Sequence, residues 1–298
     1  MKNDIKSGVT VVVPVFNEEE AIEATIASLQ STLATLGRPA EILVIDDGST
    51  DASVERASRT SARVIRHPIN SGYGQSLLTG IDAAAHDTVI IVDADGSYPI
   101  EFLPKLLAMY DKGFDMVVGA RQGKQFETSS AKRCLRLIFR LLAEFTCGRS
   151  IPDINSGFRV FRKQPVQSGR AAISSGFSFT TTVTLLFMLN HLFVGYLPIP
   201  YHQRIGKSKV RILPDALRSF QIIITSIAQF NPLKLFLILF LVCGLGTFGL
   251  LFLMSLVQPD ATAWLTVVLG WNSCVIIMAC ALLGLVHHTA RFNRPVLK

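Results

Sequence analysis

The segment Thr88-Val-Ile-Ile-Val-Asp93-Ala94-Asp95 decides the fold of this chain. It is short, rich in β-branched residues and uncharged until Asp93, a pattern typical of a buried strand. Two carboxylates therefore lie at or just beyond a strand end, where both can point at one spot. Because close like charges repel, such a pair favours a compensating cation, and hard oxygen ligands suit Mg²⁺ or Mn²⁺. From the tripeptide alone, the alternative to a metal-binding pair is a solvent-exposed turn with the sequence Asp-x-Asp.

Short apolar runs alternate with helical stretches over the first 120 residues or so. Helices are predicted over Glu18–Leu36, with Asn17 as the N-cap, and over Gly72–Ala85. This alternation indicates an α/β fold with a mainly parallel central sheet covered on both faces. The predicted strands are Val9–Phe16, Ala40–Asp46, Ala62–His67, Thr88–Asp93 and Asp115–Gly119.

Acidic residues follow directly on the ends of three predicted strands. They are Glu18, the pair Asp46-Asp47, and the pair Asp93 and Asp95. Ligands of parallel sheets bind at the carboxyl ends of the strands, so these groups are expected to gather along one edge. Asp46 or Asp47 could instead cap the turn-rich Asp-Gly-Ser segment.

The C-terminal part of the chain differs in composition from the rest. Of the 298 residues 49% are hydrophobic, and no charged residue interrupts either Leu235–Gln258 or Ala261–His288. Each stretch exceeds the roughly 20 residues that cross a bilayer core, which predicts a transmembrane hairpin. Basic residues flank the hairpin on both sides, so the positive-inside rule predicts that the large N-terminal part and both termini are cytoplasmic, at the inner membrane.

Charge and cysteine content narrow the classes of partner. The net charge of +7 suits an anionic membrane surface or a phosphate-bearing substrate. No nucleic-acid-binding motif is visible, so nucleic acid is not an expected partner. The five cysteines show no C-x-x-C spacing and are expected to stay reduced. No signal peptide is predicted, because the first apolar run is short and leads into an acidic segment.

Two further stretches are predicted to be amphipathic helices. Lys132–Cys147 combines a narrow basic stripe with a wide apolar face, which suits the bilayer interface; a core helix with one exposed stripe is the alternative. Asp215–Phe230 is the second, and it ends just before the first apolar span. The predicted domains are a catalytic domain over 1–212 with an interface helix at about 131–147, a juxtamembrane helix over 213–231, and a hairpin with its tail over 232–298.

Ordered motifs run from the first predicted strand to a basic loop before the membrane segment. They are Val11–Glu19, Val44–Asp51, Asn70–Gly74, Asp93–Gly96, Val118–Arg121, Asp153–Arg159 and Arg204–Lys209. The first four resemble the signature of family 2 inverting glycosyltransferases with the GT-A fold. The last three resemble the polyprenyl-phosphate branch of that family, which is like dolichol-phosphate mannose synthase. The resemblance covers about residues 9–210.

The resemblance implies a role for each matching residue. Asp93 and Asp95 would hold the divalent metal on the diphosphate, with Ser97 at a position where relatives often carry Gln. Asp95 and Asp153 are the catalytic candidates, although Asp153 could simply cap a loop. The residues implied to bind the nucleotide-sugar are Pro14, Glu18, Asp46, Asp47, Asp93, Arg204 and Lys207, and those implied to bind the acceptor phosphate are Arg121 and Arg133.

The resemblance implies transfer of a sugar from a nucleotide diphosphate-sugar to undecaprenyl or dolichyl phosphate with inversion. A processive polysaccharide synthase is one alternative, but Trp264 and Trp271 lie in the predicted spans and no Gln-x-x-Arg-Trp motif is present. A catalytically silent membrane subunit that binds nucleotide-sugar is another, and the intact carboxylate pair disfavours it. The sequence leaves the sugar, the prenyl length and any homo-oligomer open.

Overall fold

The structure is a computed structural model that describes residues 8–123, 130–176, 178–205, 220–221, 223–225, 227, 232–257 and 261–292. The chain divides into two compact units, Met1–Ser219 and Phe220–Lys298. The predicted boundaries at 212 and 231 stay predictions, because residues 206–219 and most of the predicted juxtamembrane helix lie outside the described part.

A seven-stranded sheet forms the centre of the first unit, in the order β3-β2-β1-β4-β6-β5-β7. Its strands are β1 (Val9–Val15), β2 (Ala40–Asp46), β3 (Arg63–Arg66), β4 (Thr88–Ile91), β5 (Met116–Gln122), β6 (Arg159–Arg162) and β7 (Val194–Pro200). All neighbours pair in parallel except β6, which is antiparallel to both β4 and β5. The prediction of a mainly parallel sheet is confirmed, whereas β6 and β7 were not predicted from the sequence.

Helices cover both faces of this sheet, as predicted. The helices of the first unit in the described residues are α1 (Ile22–Ala34), α2 (Ser53–Ser58), α3 (Tyr73–Ala83), α4 (Leu103–Tyr110), α5 (Ser130–Cys147), α6 (Lys163–Ser168) and α7 (Phe179–Leu189). Alternate residues of β1 enter different cores: Val11 and Val13 pack with α1 and α4, and Val12 packs with α3 and α7. This two-sided burial explains why the strands read as continuous apolar runs.

The start of α1 differs from the prediction. The helix begins at Ile22 rather than Glu18, and Asn17 does not cap it. Asn17 instead adopts a left-handed conformation with φ 51°, and its Oδ1 accepts a hydrogen bond of 2.8 Å from the Thr50 amide. The reason is tertiary: the amide of Glu18 donates to Ser53 Oγ at 2.8 Å, so this segment binds the loop after β2 before the helix can start.

The strand directions place many connections at one edge of the sheet. The segments that follow β1, β2, β3, β4, β5 and β7, together with the segment that precedes β6, all lie at the carboxyl edge of the parallel strands. Every predicted site residue of the first unit that the structure describes comes from one of these segments or a strand end. The fold therefore gathers them as parallel-sheet topology requires.

Helix α5 presents apolar side chains to solvent. Leu137, Ile138, Leu141 and Phe145 are each more than 40% exposed, whereas Ala143 is fully buried. Over the part of the helix whose side chains the structure describes, these exposures differ from those of a core helix with one exposed stripe. They suit the predicted contact with a bilayer interface.

The second unit contains two long apolar helices, α8 (Pro232–Val257) and α9 (Ala261–Phe292). Spans of 21 and 18 residues within them have mean hydropathies of 2.6 and 1.8 and are only 6% and 0% buried. Such exposure is unlike that of the core helices of a soluble domain and suits a lipid bilayer. The helices contact each other where a Cβ at Gly246 would lie 2.9 Å from the Trp271 ring.

Asp115 lies just before β5 and contacts residues at the ends of β6 and β7, so its removal should affect stability. Its carboxylate accepts a hydrogen bond of 2.7 Å from the Phe193 amide and pairs with Arg162. Asp115→Ala should lower the free energy of unfolding by about 1–3 kcal/mol, because the Phe193 amide and the Arg162 charge lose their partner. Urea unfolding of the purified chain, followed by circular dichroism, measures the change.

The matched control is Glu55→Ala, which removes an ion pair with Arg59 whose side chains are 65% and 63% exposed. This variant should change stability by no more than about 0.5 kcal/mol. Equal losses in the two variants would contradict the role given to Asp115.

Candidate active site

Asp93 and Asp95 lie two and four residues beyond the end of β4. The Val92 amide still donates to Val12 of β1 at 3.3 Å, so the chain keeps its strand direction up to this point. It then turns at Gly96, whose φ of +69° is left-handed and favours glycine. The pair thus stands at the carboxyl edge of the sheet, where the sequence predicts it.

The Asp95 side chain is only 2% exposed and is paired with Arg204. Arg204 Nε lies 2.6 Å from Asp95 Oδ2, and a second guanidinium nitrogen contacts the same oxygen. The other carboxylate oxygen accepts hydrogen bonds from the amide of Ser97, at 3.0 Å, and from the Ser97 hydroxyl. Asp95 is therefore compensated from both sides, and Ser97 supports Asp95 in this structure.

Arg204 reaches the site because the chain after β7 runs along the Asp95 loop. The His202 amide donates to the Ser97 carbonyl, and the Ile205 amide donates to the Asp95 carbonyl, both at 3.0 Å. These backbone bonds bring the basic segment beside the carboxylates. Lys207, which follows in the same segment, lies outside the described residues.

Asp93 contacts a different set of groups. Burial and, after it, the charge of Asp95 raise the pKa of Asp93 to about 6. The Tyr73 hydroxyl donates to Asp93 Oδ1 at 2.9 Å. Burial also raises the pKa of Tyr73 well above its usual range, which keeps that hydroxyl protonated as a donor. The ionised form of Asp93 would gain from a nearby cation.

The residues present fit a divalent metal ion. Asp93 and Asp95 offer hard carboxylate oxygens, and a Cβ built at Gly157 would lie 2.7 and 2.8 Å from the two Asp93 oxygens, so only glycine at this position allows the Asp93 carboxylate to lie where it does. No third Asp, Glu, His or Cys completes a cluster within the described part of the chain. One or two carboxylates plus substrate phosphates is the ligand set that Mg²⁺ usually takes.

Arg121 and Asp153 form a buried ion pair that the sequence analysis did not predict. Arg121 Nε and Nη2 donate to the two Asp153 oxygens at 2.7 and 2.9 Å, and the side chains are 13% and 4% exposed. The Arg121 amide also donates to Asp153 at 3.2 Å. Two parallel bonds of this kind fix both side chains. Asp153 therefore anchors Arg121 at the end of β5, and the Arg121 guanidinium lies 5.3 Å from the Tyr201 ring.

Arg159, the first residue of β6, is fully buried. Its guanidinium donates to the carbonyls of Ser156 and Ile154 at 3.0 and 3.3 Å, and to the carbonyl of Thr180 and the hydroxyl of Thr184 at 3.2 and 3.0 Å. It thus fastens the loop that carries Asp153 and Gly157 to the first turns of α7. Burial lowers the pKa of Arg159, as expected for a cation in this environment.

Asp46 and Asp47 end β2 beside the end of β1. Asp46 accepts a hydrogen bond of 3.1 Å from the Ser49 amide and lies 3.3 Å from Arg66 Nε. Asp47 accepts bonds of 2.8 Å from the amides of Ser71 and Gly72. Both carboxylates therefore stabilise loops, which was the alternative that the sequence left open, and their nucleotide-sugar roles stay predictions.

The structure brings most of the predicted site residues to one edge. Pro14 lies in β1 opposite Ile45, and Glu18 lies in the following segment that binds the β2 loop. The backbone of Arg133 belongs to α5, but its side chain lies outside the described residues. Sequence reasoning missed Tyr73 and Arg159, although both occur in motifs that it quoted. Tyr73 bonds Asp93, 20 residues away, and Arg159 bonds Thr180 and Thr184, 21 and 25 residues away, besides its near neighbours.

Solved structures with a similar fold support the predicted GT-A architecture. Glucosyl-3-phosphoglycerate synthase from Mycobacterium tuberculosis, in complex with Mn²⁺, uridine diphosphate and glucosyl-3-phosphoglycerate, matches with a TM-score of 0.56 and 22% identity over 74% of this chain and 78% of that one. The same enzyme with phosphoglyceric acid matches with a TM-score of 0.57 and 23% identity over 74% and 79%. The chain has the GT-A fold.

The match to curated relatives covers about half of the chain. Undecaprenyl-phosphate 4-deoxy-4-formamido-L-arabinose transferases from Salmonella paratyphi B and Salmonella newport are each 36% identical over 164 residues, which is 52% of this chain and 49% of theirs. The chain therefore spans about half the length of the curated relatives it matches. The sequence model of the family described as Glycosyl transferase family 2 matches residues 10–170, more than half of the chain. The chain belongs to glycosyl transferase family 2.

Proposed function

We propose that this protein transfers a sugar from a nucleotide diphosphate-sugar to a polyprenyl phosphate, with inversion and with a bound Mg²⁺ or Mn²⁺. The observation that carries the proposal is the Asp93 and Asp95 pair beside Arg204, which together can hold a metal ion and a diphosphate. Membership of the family supports sugar transfer. The names of the Salmonella relatives support a polyprenyl-phosphate acceptor.

The donor lies along the carboxyl edge of the sheet in this proposal. Pro14, Glu18 and Asp46 line the nucleoside pocket, and the diphosphate reaches Asp93 and Asp95. A bound divalent ion would supply Lewis-acid neutralisation of the leaving diphosphate. Arg204 and Lys207 donate to the same phosphates, since a guanidinium binds phosphate as well as carboxylate. Ser97 remains the candidate for a further metal ligand.

The acceptor supplies its own nucleophile. A phosphate monoester is ionised near neutral pH, so one of its oxygens can attack the anomeric carbon without a general base. The new carbon–oxygen bond forms as the bond to the nucleoside diphosphate breaks on the opposite face, which inverts the anomeric centre. The residues of the chain act by holding the two phosphates in line, and Arg121, Arg133 and Asp153 are proposed to do so on the acceptor side.

The purified chain tests the proposal directly. It should convert undecaprenyl phosphate and a nucleotide diphosphate-sugar, from a panel of both, into a polyprenyl-phosphate-linked monosaccharide detected by mass spectrometry. A single added sugar would exclude a processive synthase. No product with any donor of the panel would favour the silent nucleotide-sugar-binding subunit and overturn the proposal.

Asp95→Asn should lower transfer by about a hundredfold or more, because the variant loses one charged ligand of an ion that contributes several kcal/mol. An excess of chelator should do the same to the wild-type chain, and added Mn²⁺ should restore it. The control Asp82→Asn changes a carboxylate that is 44% exposed and paired with Arg170, and it should leave transfer unchanged. Undiminished transfer by the wild-type chain in excess chelator would refute the metal requirement.

Arg133→Ala should raise the apparent KM for polyprenyl phosphate by about ten- to a hundredfold, since a charge-assisted contact contributes about 1.5–3 kcal/mol. The affinity for nucleotide-sugar should stay unchanged, and Arg133→Lys should rescue only in part because the planar fork is lost. Arg140→Ala removes the same charge further along α5, where Arg140 lies 3.7 Å from Glu144, and serves as the control. Weaker nucleotide-sugar binding with unchanged acceptor kinetics would contradict this assignment.

We also propose that the first unit and both ends of the chain are cytoplasmic. The proposal rests on the basic residues that flank the apolar spans. An epitope tag placed after Lys298 should react with antibody only after the inner membrane is permeabilised. Labelling of the tag from the periplasmic side of intact inner membranes would overturn this orientation.

A further inference from the structure

The two oxygens of Asp93 differ in their hydrogen bonds. The Tyr73 hydroxyl donates to Oδ1 at 2.9 Å, whereas Oδ2 accepts no hydrogen bond from any described residue. A Cβ at Gly157 would lie 2.7 and 2.8 Å from the two Asp93 oxygens, so the absence of a side chain there lets the whole carboxylate pack against this loop. One oxygen of the carboxylate is therefore fixed and the other is available to a ligand.

Tyr73 is itself held on its N-terminal side by Asp47. Tyr73 is the first residue of α3, and it follows Gly72, which has a φ of +99°. The amides of Ser71 and Gly72 both donate to the Asp47 carboxylate at 2.8 Å. His67 Nδ1 contacts Asp47 at 2.8 Å in turn. The turn that begins α3 thus has a fixed conformation.

The chain on the other side of Tyr73 is held by a neighbouring segment. The Gln75 amide donates to the Ser175 carbonyl at 2.8 Å. A Cβ at Gly74 would lie 2.6 Å from the carbonyl oxygens of Ser174 and Gly176, so the two backbones touch. Tyr73 therefore projects from a backbone that is anchored both before and after it.

We infer that Tyr73 is a positioning residue that orients Asp93 for the divalent ion. This inference rests on the proposed function and deepens it, because it gives Asp47 and the Gly72-Tyr73-Gly74 segment a task within the metal site. The hydrogen bond to Oδ1 fixes the rotation of the carboxylate and so leaves Oδ2 as the oxygen available to the ion. Groups that orient a metal ligand in this way contribute about ten- to a hundredfold to metal affinity.

Tyr73→Phe tests the inference, since it removes the hydroxyl and keeps the ring. Mn²⁺ binding to the full chain in detergent, without substrate, is followed by the electron paramagnetic resonance of free Mn²⁺. The dissociation constant should rise about tenfold or more relative to the wild-type chain. In transfer assays the Mn²⁺ concentration for half-maximal rate should rise, and kcat should recover at saturating Mn²⁺. A purely structural role would not separate these two quantities.

Tyr110→Phe is the matched control. Tyr110 is the last residue of α4 and is partly buried against the core on one face of the sheet, so this variant removes a comparable hydroxyl from a different element. It should leave Mn²⁺ affinity unchanged. Asp93→Asn should weaken Mn²⁺ binding at least as much as Tyr73→Phe does.

The outcomes separate the inference from the proposed function. Equal Mn²⁺ affinity in the wild-type chain and Tyr73→Phe, with weaker binding in Asp93→Asn, would overturn the inference and leave the proposed function standing. Equal losses in Tyr73→Phe and Tyr110→Phe would also overturn it. A wild-type chain that transfers no sugar would refute the proposed function, whatever the Tyr73 variant does.

Discussion

The main constraint on the first unit comes from two neighbouring carboxylates, which follow the end of β4 and lie two residues apart in the chain. Asp95 is buried and Asp93 is partly exposed, and the charge of Asp95 contributes to raising the pKa of Asp93. Each carboxylate has its own compensation: Arg204 pairs with Asp95, and Tyr73 donates to Asp93. Two negative charges held close together in a partly buried site destabilise the folded state. The contacts from the surrounding segments offset part of this destabilisation.

The fold explains how groups so distant in sequence converge. Arg204 and Asp95 are 109 residues apart, yet β7 ends at the same edge as β4 and delivers the following segment beside the carboxylates. The reversed strand β6 starts at this edge, so the loop before it reaches the site too. Arg159 then fixes that loop to α7 through carbonyl and hydroxyl acceptors. The lipid-compatible surfaces of α5, α8 and α9 suit a protein whose proposed acceptor is a lipid.

Local pattern was enough to predict β1 to β5 and the carboxylate pair, because both depend on short-range periodicity. β2 runs over Ala40–Asp46 as predicted, and Asp93 lies at the predicted edge. The N-cap at Asn17 was wrong because a contact with Thr50 overrides the local preference. The sequence did not predict β6, because this strand has only four residues and begins and ends with an arginine, one of which is buried. The pairs of Arg121 with Asp153 and of Tyr73 with Asp93 join distant segments, which a single sequence does not reveal.

The position of a bound ion tests the central claim most directly. Diffraction data from the chain with Mn²⁺ and a nucleoside diphosphate, collected at the manganese absorption edge, would locate the ion by its anomalous signal. We predict one peak at about 2.0–2.3 Å from carboxylate oxygens of both Asp93 and Asp95, with phosphate oxygens completing the shell and Arg204 contacting phosphate. A peak remote from both aspartates, with the Arg204 to Asp95 pair intact and nucleotide bound, would contradict the account.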